Sequence, residues 1–75
     1  MSALLDSFRS EHAQRAFAEV RAESCAQNIL RILKARGVDA TPETRERIEA
    51  CRDMEVLGTW LDRAATASRV EDLFT

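Results

Sequence analysis

The side chains best suited to chemistry are scarce in this sequence and poorly spaced for it. There is one histidine, His12, one lysine, Lys34, and two cysteines, Cys25 and Cys51. A nucleophilic site of the Ser/His/Asp or Cys/His kind has only His12 as its base. His12 falls in a stretch with no sign of a pocket and reads as a solvated helix position. A zinc site wants four ligands, usually closely spaced. Cys25, Cys51 and His12 are the only nitrogen or sulfur ligands, and they are far apart in sequence. Two cysteines are too few for the disulfide framework of a small secreted domain, so both read as small buried apolar groups with free thiols. Phosphate-cradling glycine loops are excluded by having only the isolated Gly37 and Gly58. Acidic positions such as Asp6, Glu19 and Glu23 lie on Arg-rich helix faces, where solvated ion pairing is the ordinary outcome. A nuclease centre of the D…(D/E)-x-K type needs an acid two residues before its lysine. Here that residue is Ile32. The expectation is no enzyme, no cofactor and no metal.

The elements that position these residues follow from composition and length. Seventy-five residues allow a single small domain. Two Gly and one Pro beside abundant Ala, Arg, Glu and Leu predict an all-α chain. Eleven basic against thirteen acidic residues give a net charge of −2, which disfavours nucleic acid or an acidic membrane as partner. No apolar run approaches the ~18 residues needed to span a bilayer. MSALLDSFRS lacks the basic start and apolar block of a signal peptide. A reducing cytoplasm is the expected setting.

No Gly or Pro interrupts residues 3–36, and Gly37 follows a basic last turn. This predicts one long helix over about 3–36, ~50 Å in length, with a bend near 21–24 left open. Thr41 and Pro42 are an N-cap and first helical residue for a second helix over about 42–51. Within it Thr44, Ile48 and Cys51 share a side, while Glu43–Arg47 and Arg45–Glu49 are i,i+4 pairs on the wet face. Asp53 caps a third helix over about 54–67, with Leu57, Trp60, Leu61 and Ala64 as its apolar stripe. Gly58 inside it is either a point of close helix approach or merely tolerated, at a cost of about 1 kcal/mol relative to Ala. Ser68-Arg69-Val70-Glu71 reads as a capping box opening a last short helix over about 69–74.

Placing the first helix at 100° steps exposes a mismatch. Ala22, Ala26, Ile29 and Leu33 cluster on one side, flanked by Cys25 and Ile32. Ala13, Ala16, Phe17 and Val20 cluster on nearly the opposite side, with Leu5 between the two and Phe8 nearer the first. The downstream helices, about 15, 20 and 10 Å long, can cover the C-terminal half of a 50 Å rod. They cannot also reach its front. Each large apolar side chain left there in water forgoes roughly 1.5–3 kcal/mol, and such a patch normally marks an interaction site. A frayed arm and a fold-back within the chain are the alternatives. Residues 1–36 carry six basic and four acidic groups (+2), and residues 37–75 carry five and nine (−4), which mildly favours contact between copies.

Ala22 to Gly37, Arg45-Glu46-Arg47-Ile48 with Cys51 and Asp53, Trp60 to Ala64 with Thr66-Ala67, and Glu71-Asp72-Leu73-Phe74 keep an order and spacing that covers about residues 13–74. Together they resemble the C-terminal region of the recombination-promoting nuclease (putative transposase, PD-(D/E)XK) family of actinobacterial type. The resemblance implies a non-catalytic tail without the nuclease domain. It also implies a short form that associates with itself and restrains a full-length nuclease-type relative. The family commonly has Gly where this chain has Val20 and Ser24, which here favours a continuous helix.

The reading is therefore a single helical domain over 1–75. Residues 1–21 form an oligomerisation arm with interface residues Leu5, Phe8, Ala13, Ala16, Phe17 and Val20. Residues 22–75 form a compact core that includes Ile29, Ile32, Leu33, Val38, Ile48, Cys51, Leu57, Trp60, Leu61, Ala64, Val70, Leu73 and Phe74. The expected partner is a second copy, as a dimer or higher homo-oligomer. The competing functional readings are an orphan folded tail and a small DNA-binding protein that presents Arg45, Arg47 and Arg52 from residues 41–67.

Overall fold

A computed structural model describes the backbone of residues 11–75 and the side chains from Phe17 onward. Among the described residues the protein is all-helical: α1 (Glu11–Ala35), α2 (Pro42–Ala50), α3 (Met54–Ala64) and a 3₁₀ turn (Val70–Leu73). The predicted residues 3–10 of the long helix lie outside the described residues. Within them α1 runs through 21–24 as one helix.

The stop of α1 is chemically explicit. Gly37 takes φ +74°, a left-handed conformation that penalises any side chain. The Gly37 N–H donates to the Lys34 carbonyl (3.1 Å), and the Val38 N–H reaches back to the Leu33 carbonyl (2.8 Å). These are the two bonds of a Schellman motif, and its usual apolar contact is supplied by Leu33 and Val38, both buried. The chain then restarts at Thr41, whose Oγ1 accepts from the Thr44 N–H (3.1 Å), with Pro42 leading α2. Asp53 repeats the device for α3, accepting from the N–H groups of Glu55 (3.0 Å) and Val56 (3.4 Å).

The core sits where three elements close on the C-terminal half of α1. Ala22, Ala26, Ile29 and Leu33 supply one wall, and Ile48, Leu57, Trp60, Ala64, Ala67, Val70 and Leu73 supply the rest. α3 makes the most extensive packing on α1. Every predicted core residue is buried or packs half-buried against this cluster; Ile32, Cys51, Leu61 and Phe74 are of the half-buried kind. Ala22, Ala26 and Ala67 belong to the core as well.

Three local expectations are corrected. The third helix ends at Ala64, not Ala67. There the guanidinium of Arg36, just past the end of α1, donates to the carbonyls of Ala64 (2.9 Å) and Ala67, satisfying acceptors that a longer helix would have used internally. The last element is a 3₁₀ turn, and its cap is Asp72, not Glu71. The Asp72 carboxylate accepts from the N–H groups of Ser68 (3.0 Å) and Arg69 (3.1 Å). Finally, a Cβ built on Gly58 meets nothing within 4 Å, so no neighbouring helix demands glycine there.

The two glycines should therefore respond oppositely to alanine in thermal unfolding. Gly58→Ala should stabilise by roughly 0.5–1 kcal/mol through helix propensity. Gly37→Ala should destabilise by about 1 kcal/mol through its left-handed backbone.

The Asp72 carboxyl is held below its ordinary 3.8, first by the Arg69 and Ser68 backbone N–H groups and then by the Arg69 charge. Its contribution to folding is thus complete above 3.8 and is lost as pH falls through its lower folded value. An acid titration followed by NMR should show the Ser68 and Arg69 amides shifting with the Asp72 carboxyl, below the pH at which an unfolded aspartate titrates. Asp72→Asn should abolish the step.

Candidate interaction surface

α1 is longer than the elements that cover it. Its 25 residues span about 37 Å, whereas α2 and α3 span about 13 and 16 Å. The first buried position along the described side chains is Ala22. The turn before it, Phe17 to Arg21, is exposed throughout. Phe17 and Val20 sit there at an i,i+3 spacing that puts them on one face, and they are 64% and 61% exposed. Among the described residues they are the most exposed of the large apolar side chains, ahead of Met54 and Val56 at 37% each.

Of the six interface residues read from the sequence, Phe17 and Val20 are thus placed together and open. Ala13 and Ala16 lie in α1, their side chains outside the description, and Leu5 and Phe8 lie outside the described residues. By register, Phe17 and Val20 project away from the face formed by Ala22, Ala26, Ile29 and Leu33, so the core and the open patch use opposite sides of one helix.

The charged face of α2 does more structural work than its i,i+4 pattern suggests. Among the described residues the one ion pair is Arg52 with Glu23 (3.9 Å), so neither Glu43–Arg47 nor Arg45–Glu49 closes. Arg47 instead lays its guanidinium over the Phe74 ring at 4.0 Å, with the Trp60 ring at 5.9 Å. Trp60 and Phe74 meet edge to face at 5.0 Å and 89°. Arg52 donates to the carbonyls of Glu49 (2.6 Å) and Cys51 (3.2 Å), closing the end of α2. Arg63 reaches the Leu73 carbonyl (2.9 Å) and ties the chain end to α3. Two of the three arginines that a DNA-binding reading would present, Arg47 and Arg52, therefore hold the fold together.

A second feature was not legible as a site. Between α1 and the start of α2 lies an open recess of about 520 Å3. Its floor includes Leu33 and Val38, and Arg31, Lys34 and Arg45 stand on its rim. Arg31 and Lys34 are three residues apart, but Arg45 arrives from another helix, and sequence spacing carries no trace of that meeting.

Cys25 and Cys51 are free thiols, each half-buried against the core. Among the described residues no group of three or more His, Cys, Asp and Glu converges as metal ligands, and no helix is long and apolar enough to cross a membrane.

No known protein family, no curated protein and no solved structure matches this chain.

The division of roles on α2 is open to a direct comparison. Arg47→Ala should lower stability by roughly 0.5–2 kcal/mol through loss of the stacked cation. Arg45→Ala, at an exposed position whose side chain makes no hydrogen bond or ion pair among the described residues, should leave the thermal midpoint unchanged.

Proposed function

We propose that this protein is a non-catalytic helical module that associates with a second copy of itself through the N-terminal half of α1. The observation that carries the reading is the exposed Phe17–Val20 pair on the face of α1 turned away from its own core. Burying two such side chains regains about 1.5–3 kcal/mol each. Small Ala13 and Ala16 in the same stretch of helix suit close helix–helix approach. Opposite charge excesses, +2 over residues 1–36 and −4 over 37–75, favour contact between copies. The core of so short a chain also gains from assembly. By the resemblance noted above, the same face serves a nuclease-type relative, which the module restrains by occupying it.

Light scattering coupled to size exclusion tests the reading. At tens of micromolar, on the order of a modest dimer affinity, the eluting mass should be at least twice the 8.5 kDa of one chain. Phe17→Asp with Val20→Asp should return it to one chain while keeping the helical circular dichroism signal. A single-chain mass for the unaltered protein would sink the proposal. Loss of all helical signal in the double variant would show that these residues serve a core within one chain.

A further inference from the structure

Among the described residues the arginines and the lysine divide into two groups. Arg36, Arg52 and Arg63 donate to backbone carbonyls, and Arg47 stacks on Phe74. Five other described cations, Arg21, Arg31, Lys34, Arg45 and Arg69, form no ion pair and donate no side-chain hydrogen bond among the described residues. Three of those five, Arg31, Lys34 and Arg45, meet around the recess between α1 and α2. Asp39 is the single acid on its lining, so the local balance is three positive against one negative, +2 in a chain whose total is −2.

The recess is not merely a charged surface. Beneath the rim lie buried Leu33 and Val38 and half-buried Leu30 and Ala40. Its volume of about 520 Å3 falls within the ~300–1,000 Å3 typical of small-molecule sites. Its lining is mixed: six of its ten residues are polar or charged, and the apolar four are Leu30, Leu33, Val38 and Ala40. Like charges in excess of their counter-charge repel one another, and an anion set among them relieves that repulsion. The carboxamides of Gln27 and Asn28 add donors and acceptors at the edge, and Asp39 can accept from a ligand hydroxyl or amine.

We propose that the α1–α2 recess binds a small organic anion, an apolar body bearing a phosphate or carboxylate. The body rests on Leu30 and Ala40, and Arg31, Lys34 and Arg45 take the charge. The site is independent of the Phe17–Val20 face, so it stands whether or not the chain self-associates.

The test is a titration of the 15N-labelled protein with phenyl phosphate at low salt, where surface charge is least screened. Inorganic phosphate and phenol serve as separate arms. Phenyl phosphate should give saturable amide shifts at Leu30, Lys34, Val38, Ala40 and Arg45. Both other probes should bind these amides at least tenfold more weakly. Lys34→Gln with Arg45→Gln should weaken phenyl phosphate at least tenfold, at an unchanged thermal midpoint, since these exposed side chains support no contact in the fold. The Phe17→Asp, Val20→Asp variant should titrate as the parent does.

Four results overturn the assignment. One is the absence of saturable shifts up to about 10 mM, the edge of meaningful affinity. Another is equal shifting at Arg21, Arg63 and Arg69, which marks non-specific ion pairing. Equal affinity for phenyl phosphate and either single-feature probe removes the combined chemistry. An unchanged affinity in the Lys34/Arg45 variant removes the cationic rim.

Discussion

The structure depends on one apolar stripe. Ala22, Ala26, Ile29 and Leu33, spaced at four, three and four, give α1 a face that is buried from Ala22 to Leu33. α3 meets that face with a stripe of its own, Leu57, Trp60 and Ala64, and the other described elements bring less. α2 contributes a single fully buried residue, Ile48, and the last element is a four-residue turn. Neither would hold its shape alone, because short helices are marginal without a packed face. The small residues at the N-terminal end of the stripe and the large ones at its C-terminal end shape the packing around them.

That same stripe fixes what α1 leaves over. A helix turns about 100° per residue, so the apolar set at 13, 16, 17 and 20 cannot share the face set by 22, 26, 29 and 33. The downstream chain packs on the second set. Phe17 and Val20 are left open because they belong to the other face, and lengthening α2 or α3 along the core would not bring either under cover. The exposed patch follows from the register of the helix.

Much of this was readable from residue types. Helix starts at Thr41-Pro42 and Asp53 and the stop at Gly37 are local events, set by one side chain and the backbone beside it. The alternation of apolar and charged residues was enough to name the core. What sequence did not reveal was long-range. The exception is local: Asp72 and not Glu71 caps the 3₁₀ turn, accepting from N–H groups four and three residues back. α3 stops early where Arg36, twenty-eight residues away, offers its carbonyls a donor. Arg45 joins Arg31 and Lys34 only because α2 folds back beside α1. The last two require knowing which segments are neighbours in space, and local propensity carries no such information.

The heavy use of arginine, with lysine appearing once, has a physical reason in this fold. A guanidinium is a planar fork that can serve two carbonyls at once and lie flat on a ring, and an ammonium does neither as well. Arg36 serves the carbonyls of Ala64 and Ala67, and Arg47 covers Phe74. A core poor in aromatic rings thus gains rigidity at its edges from side chains that a charge count would assign to solvent or to a polyanion. Net charge alone cannot distinguish a clamp from a binding group, but partners can. The cations with a carbonyl or ring to satisfy are spent on the fold. Those left without one at the α1–α2 recess are the charges available to something outside it.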